Sequence, residues 1–240
     1  MTSDPYYGTD LAFVHHAGYS QHVERTAPGL VALLRAHVPR NAQVVDVGCG
    51  SGLLACKLLD AGFAVHGIDA SPAMIALARA HAAAASFDVA RLPGSLPCGD
   101  AVVSTGHVLN YLDSHDDIAR ALRDLARAVR PGGLLAIDLM TERFAAQPDA
   151  TSAHAKVTDD WVIVTRYSRP EPRRFDRAIT VFRRVDGAWR RSDEHHRNLT
   201  FEADDALAIL REERVDASVQ RAFGDEALPE GLVVIAGVRR

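Results

Sequence analysis

The sequence predicts an α/β fold built on a mostly parallel sheet, with an antiparallel β insertion in its second half. Three observations predict it. Val44–Gly52, VVDVGCGSG, reads as a short strand buried on both faces that runs into a glycine loop, and Leu53–Asp60 reads as the helix after it. Strand-like and helix-like runs then alternate as far as Asp138, the pattern of successive βαβ units. After Thr158 the alternation stops, and three strand-like runs follow one another, the last two joined by Asp186-Gly187 as a hairpin turn.

Each element has its own warrant. Asp10–Arg25 predicts a helix crowded with aromatic and histidine side chains, suited either to packing on the sheet or to closing over a site. Pro28–His37 predicts a second helix with Leu30, Leu33 and Leu34 on one face. In the first strand Val44, Val45 and Val47 are β-branched and Asp46 interrupts them just before Gly48, Gly50 and Gly52. Glycine lets the backbone turn tightly and approach a ligand, and the helix start behind it leaves N–H groups to satisfy. The spacing is G-x-G-x-G, and Leu53 stands where the dinucleotide fingerprint G-x-G-x-x-G has its last glycine.

Ala64–Ile68 predicts the second strand, ending at Asp69, which is about twenty positions past the loop and placed to accept from both hydroxyls of a ribose. Ser71 and Pro72 start the next helix, where Met74 sits early enough to touch an adenine. Ser86–Val89 is a short third strand that carries Asp88, and Ala101–Thr105 is the fourth, followed by Gly106-His107-Val108-Leu109-Asn110-Tyr111-Leu112 at the end where open α/β sheets bind ligands. Asp116–Val129 is the clearest helix, with an apolar stripe of Ile118, Leu122, Leu125 and Val129 and Asp116 at its cap. Pro131-Gly132-Gly133 stops it, and Leu134–Asp138 is the fifth strand. Glu142–Thr158 reads as a polar loop. Trp161–Tyr167, Asp176–Val185 and Ala188–Phe201 are the inserted strands, before a helix at Ala203–Arg211 and strands at Val215–Ala222 and Leu232–Val238.

Composition narrows the class. The chain has 240 residues, 48% hydrophobic and 24% charged, which suits one globular domain with a sizeable core. A formal charge of −4 speaks against a nucleic-acid partner. The start, MTSDPYYGTD, lacks the pattern of a signal peptide, and no apolar stretch is long enough for a membrane span. Cys49, Cys56 and Cys98 have neither metal-ligand spacing nor the number for a disulfide framework, so reduced thiols and a cytoplasmic location are expected. No metal site is expected among the histidines.

VVDVGCGSG, GIDASPAMIALA, the strand with Asp88, and RPGGLLAIDL, in this order, resemble the class I S-adenosylmethionine (SAM)-dependent methyltransferases over residues 27–140. The resemblance implies a Rossmann-like sheet of seven strands, the last antiparallel, in one domain spanning the chain. It would have a helical lid at residues 1–38 and the β insertion at about 155–202. It implies SAM as cofactor, with Gly48, Cys49, Gly50 and Gly52 along its methionine part and Asp46 orienting the loop or the amino group. Asp69, next to Ala70, would hold the ribose, and Asp88 with the N–H of Val89 would read the adenine near Met74. Thr105 and Gly106 would lie on the sulfonium side, with His15, Tyr19 and Arg25 closing the pocket.

The insertion and GHVLNYL resemble small-molecule N-methyltransferases of amino sugars or glycine-like amines, so a small-molecule acceptor with nitrogen favoured over oxygen is implied. The insertion would wall the acceptor side of the cleft or make a homodimer contact. His107, directly after the fourth strand, is the first candidate base. Strand alternation puts His195 on the buried face with Trp189, Leu199 and Phe201, whereas the resemblance favours His196 as the second. Two other classes stay open: an NAD-dependent oxidoreductase, against which Leu53 and the RPGG segment argue, and a SAM-binding protein without catalysis.

Overall fold

The computed structural model describes residues 6–146, 152–224 and 227–240. Residues 1–5 of the expected lid and 147–151 of the expected polar loop lie outside the described residues. The chain begins with α1 (Thr9–Gly18) and α2 (Ser20–His37), then β1 (Gln43–Val47), α3 (Leu53–Asp60), β2 (Ala64–Asp69), α4 (Pro72–His81), β3 (Ser86–Val89) and β4 (Gly99–Ser104). A 3₁₀ turn at Val108–Tyr111 leads to α5 (His115–Ala128), β5 (Val129–Met140) and α6 (Glu142–Ala145). The strands β6 (Ala153–Val157), β7 (Trp161–Ser168), β8 (Arg174–Val185) and β9 (Ala188–Leu199) follow, and α7 (Ala203–Glu212), β10 (Val215–Gln220) and β11 (Leu232–Arg239) end the chain.

Seven strands form the main sheet in the order β10-β11-β5-β4-β1-β2-β3, with β11 antiparallel to both neighbours. From β1 the chain steps outward to β2 and β3, then returns to β4 on the other side. The order therefore reverses between β1 and β4, which opens a crevice at their carboxyl ends. Both faces of β1 are covered. Val44 packs with Leu30 and Leu34 of α2 and Leu58 of α3, while Val45 and Val47 pack with Ile118, Leu122 and Leu125 of α5. That double burial is why the strand is an almost unbroken apolar run.

The other four strands form a separate antiparallel sheet, β6-β7-β8-β9. Leu11 and Val14 of α1 pack on its Trp161, Ile163, Ile179 and Val181, so the first helix covers the inserted sheet. Asp10 is buried there and accepts from Arg190 Nε at 2.7 Å, and the guanidiniums of Arg190 and Arg183 hold its carboxyl below the usual range against the opposing effect of burial.

Several elements differ from expectation. The first helix stops at Gly18 and a new one runs straight through Pro28. Pro28 sits on the exposed side of α2, so the carbonyl it leaves without a partner can face water, while Thr26, Ala27, Leu30 and Leu34 anchor the buried side. Ser114 rather than Asp116 caps α5, its Oγ accepting from Asp117 N at 3.0 Å. The expected polar loop contains α6 and β6. Every residue of β6 is exposed, so this edge strand has no apolar alternation by which a sequence would reveal it. On β9 it is His196 and Asn198 that are buried and His195 that is not. The covered face of the strand is polar here, which reverses a reading based on apolar alternation.

Asn110 ties the two sheets together. Its Nδ2 donates to the carbonyls of Met140 (2.9 Å) and Leu199 (2.6 Å), and its Oδ1 accepts from Met140 N at 2.9 Å. The side chain is fully buried. Asn110→Ala leaves those backbone groups unsatisfied in the interior and should cost about 2–4 kcal/mol in a denaturant titration. A loss under about 1 kcal/mol would show that this junction carries little of the stability.

Candidate active site

The crevice holds a cavity of about 420 Å³. Its first wall is the glycine loop. Gly48 N and Cys49 N donate to Ile68 O at 2.8 and 3.0 Å, which folds the loop over the tip of β2. Gly48 has φ +73°, and a Cβ there would lie 2.3 Å from Val108 Cγ2, so glycine is required twice over. Gly50 N donates to Asp69 Oδ2 at 2.9 Å and Ser71 N to Asp69 Oδ1 at 2.8 Å. Ser71 Oγ caps α4 by accepting from Met74 N at 3.1 Å. His16 of α1 hydrogen-bonds Ser51 Oγ through Nδ1 at 2.9 Å, joining the N-terminal region to the same loop.

Two carboxyls meet here. Burial pushes Asp69 up despite its backbone donors. Burial, then the charge of Asp69, pushes Asp46 up to about 7. Asp46 Oδ2 is buried and has no hydrogen-bond partner among the described residues.

The opposite wall is the turn after β4. Gly106 N and His107 N donate to the carboxylate of Asp138 at 2.9 and 2.6 Å, and His107 is held at φ +49°. Its imidazole stacks on Tyr111, centroids 6.1 Å apart with 10° between the planes, and Nε2 is buried without a partner among the described residues. Burial, then the charge of Arg177, holds the imidazole well below its ordinary pKa, so it is neutral at pH 7.

Arg177 reaches in from β8, so the inserted sheet does contribute to the cavity wall. Its Nη2 donates to Tyr111 OH and to Asn198 Oδ1 (3.0 Å), and its guanidinium lies 5.0 Å from the Tyr111 ring centre. Tyr7 OH and Tyr111 OH share a hydrogen bond of 2.9 Å. His15 meets Tyr7 edge-on at 5.1 Å and stacks on Tyr19 at 5.5 Å.

Of the residues singled out from sequence, Tyr19, Asp46, Gly48, Cys49, Gly50, Asp69, Ala70, Met74, Thr105, Gly106 and His107 line this one cavity. His15 lines it too, and five others lie elsewhere, Arg25 among them in a separate hollow with Gln21, Thr26 and Gly224. Gly52 starts α3 at φ +81° and sits where a Cβ would come within 3.0 Å of Ala78 Cα; it packs helix against helix. Asp88 is on the outer surface, accepting from His66 Nε2 at 2.9 Å, and Val89 is half-exposed. The wall beyond β3 is made by Ala90, Arg91 and Leu92 instead. His196 is fully buried behind Tyr6, Tyr7 and Tyr111, and its Nε2 donates to Glu194 Oε2 at 2.7 Å.

Sequence reasoning missed Arg177, which is one of several arginines on β8 with nothing in the sequence to distinguish it. It also missed Asp138, although an acidic residue closing an apolar strand is the same signal that Asp46 and Asp69 give. No cluster of His, Cys, Asp or Glu fit to hold a metal occurs among the described residues. No helix there is long and apolar enough to cross a membrane.

A glycine loop and a buried strand-tip carboxyl at the reversal point of a seven-stranded sheet define a protein that binds a nucleoside-bearing cofactor. Known proteins say which. The family described as "Methyltransferase domain" matches residues 44–133. The putative methyltransferase YqeM of Bacillus subtilis is 26% identical over 186 residues, 74% of this chain and 75% of its own length. The malonyl-[acyl-carrier protein] O-methyltransferase of Pseudescherichia vulneris is 30% identical over 72% of this chain and 63% of its own length. The solved sugar N-methyltransferase KedS8 of Streptoalloteichus shares the fold with a TM-score of 0.80 at 23% identity, covering 100% of this chain and 98% of that one. The chain belongs to the class I SAM-dependent methyltransferases.

The neutral histidines give the site an acid limit. Burial, then the charge of Arg177, pushes His15 down to about 4, whereas an unfolded chain protonates it near 6.5. Between those values the unfolded state binds the extra proton, so stability is full above about pH 6.5 and is lost as pH falls towards 4. His15→Gln should remove about 1–3 kcal/mol of the stability difference between pH 7 and pH 4.5 in denaturant titrations. An unchanged pH slope would show that His15 is not buried neutral.

Proposed function

We propose that the enzyme transfers the methyl group of SAM to an amine nitrogen of a small molecule. The observation that carries this reading is His107. A buried, neutral imidazole whose Nε2 has no partner among the described residues faces the same cavity as the glycine loop and Asp69. SAM, when bound, supplies a methyl group already activated on a positive sulfur.

The residues present fit this cofactor. The unpartnered Oδ2 of Asp46 suits its ammonium, the carboxylate of Asp69 suits the ribose hydroxyls, and Met74 offers an apolar surface to the adenine. The chain then has two tasks. It must align the acceptor behind the methyl carbon with water excluded, and it must take away one proton. His107 Nε2, which faces the cavity, would accept the proton that the acceptor nitrogen gives up on methylation. Arg177 has no carboxylate partner among the described residues, so its field disfavours an ammonium there and favours the acceptor as the free amine. In this reading the chain is one methyltransferase domain, with the N-terminal helices closing the site. The full-length likeness to a sugar N-methyltransferase supports nitrogen, and the O-methyltransferase among the relatives makes a hydroxyl acceptor the second reading.

Calorimetry tests the cofactor assignment. SAM should bind and NAD should not, and Asp69→Ala should weaken SAM by about tenfold to a few hundredfold. Asp88→Ala should leave the affinity within about twofold, since its carboxylate is on the outer surface. An unchanged affinity in Asp69→Ala would overturn the ribose assignment.

A screen of small amines and matched alcohols with methyl-labelled SAM tests the acceptor class, and turnover of alcohols alone would replace nitrogen with oxygen. With the best acceptor, His107→Ala should lower kcat by about 10²–10⁴ with little change in SAM affinity. Near-normal turnover would leave alignment as the catalytic device.

A further inference from the structure

His196 is fully buried, yet it does not reach the cavity wall. Its role is legible from what it holds. Tyr6–Gly8 precedes α1 and roofs the cavity, with Tyr6 and Tyr7 both in the wall. Tyr7 has φ +63°, a conformation that a non-glycine residue keeps only where its surroundings compensate. The compensation is visible. The successive N–H groups of Tyr7 and Gly8 point to one place, an anion-binding nest of backbone donors, and the Glu194 carboxylate fills it at 2.8 and 2.9 Å. The oxygen that accepts from Tyr7 N also accepts from His196 Nε2 at 2.7 Å.

The far side of the strap is tied as well. Tyr7 O accepts from Ser71 Oγ at 2.6 Å, next to Asp69, and Tyr7 OH bonds Tyr111 OH. The Tyr6 ring lies 4.4 Å from the His196 ring, and Arg197 N donates to Tyr6 OH at 3.3 Å. The strap thus bridges the cofactor rim and the acceptor wall, and the second sheet fastens it.

We propose that Glu194, oriented by His196, is a positioning residue that clasps the Tyr6–Gly8 strap over the cavity, and that opening of this clasp gates cofactor entry and product exit. The gating part rests on the reading of the cavity as the SAM site. Lifting the strap would open the cavity along the side formed by Tyr6 and Tyr7. Ties made of hydrogen bonds to one side chain can break and re-form without unfolding the sheet behind them. With its Nε2 proton donated to Glu194, His196 orients a carboxylate rather than serving as a base.

Two measurements on the full chain test this: amide exchange at Tyr7 and Gly8 without cofactor, and stopped-flow release of S-adenosylhomocysteine. Glu194→Ala should speed exchange at both amides by at least about tenfold and release by about 10–100-fold, with the β7–β9 amides unchanged. His196→Phe should act in the same direction, and His196→Gln, which keeps an N–H donor, should recover most of the loss. Rates within about twofold of wild type in Glu194→Ala, or equal loosening of β8 and β9, would overturn the clasp. If Glu194→Ala does not fold, Glu194→Gln keeps one acceptor oxygen and should give intermediate rates; unchanged rates there overturn the proposal too. Failure of the wild-type chain to bind S-adenosylhomocysteine would instead overturn the site reading and with it the gate, while exchange at Tyr7 and Gly8 would still decide the clasp.

Discussion

A carboxylate that accepts two backbone N–H groups fixes each wall of this cavity. Asp69 takes Gly50 and Ser71, Asp138 takes Gly106 and His107, and Glu194 takes Tyr7 and Gly8. The constraint behind this is general. A loop that leaves a strand to line a crevice has left its ladder, and its N–H groups still need acceptors in a place with little water. A carboxylate satisfies two at once, and the charge strengthens both bonds. Burial raises the pKa of Asp69 and Asp138, and their backbone donors oppose that rise. Geometry and ionisation are therefore maintained by the same bonds.

Asp46 is the exception that gives the site its direction. It stands at the tip of β1 beside Asp69, is fully buried like Asp138, and has one oxygen with no donor among the described residues. Its pKa near 7 reflects that lack of compensation together with the neighbouring charge. A cation brought to this point would favour the ionised form, so cation binding and proton release are linked there. At the other end of the cavity the order of charges is reversed: Arg177 is a cation with no carboxylate partner among the described residues, and His15 and His107 near it are neutral. The cavity is polarised along its length, acidic at the glycine loop and cationic at the inserted sheet.

How much of this was legible in the sequence follows from which interactions are local. The glycine loop, Asp69 and the Ser71 cap could be read because each is set by spacing along the chain and by the strand before it. The second sheet was readable where its strands have a covered apolar face, as at Trp161 and Ile163, and unreadable at β6, where no face is covered. Asp88 was misplaced because a four-residue strand is too short for its alternation to show which side each residue takes, and here the side chain faces His66 on the outer surface. His195 and His196 were ordered wrongly by alternation for a deeper reason. The covered face at that end of β9 is lined by Glu194, His196 and Asn198, and a polar buried face carries no hydrophobic signal. Arg177 and Asn110 act through partners 21–89 positions away, beyond anything a pattern along the chain can report.

The two sheets accordingly divide the work. The main sheet supplies the loop, Asp46, Asp69 and His107, all at the carboxyl ends of parallel strands, where the backbone itself fixes their positions. The inserted sheet supplies Arg177 directly, and Glu194 and His196 through the strap. Arg177 bonds Tyr111, Tyr111 bonds the Tyr7 hydroxyl, and the Tyr7 carbonyl accepts from Ser71, so Tyr7 links the inserted-sheet wall to the rim beside Asp69. Such a link couples the two halves of the cavity: a group that displaces Tyr7 from Tyr111 also loosens the roof next to Asp69. The side chain at position 177 and the strap's fastening both come from the inserted sheet, so either can change without disturbing the strand tips at the other end of the cavity.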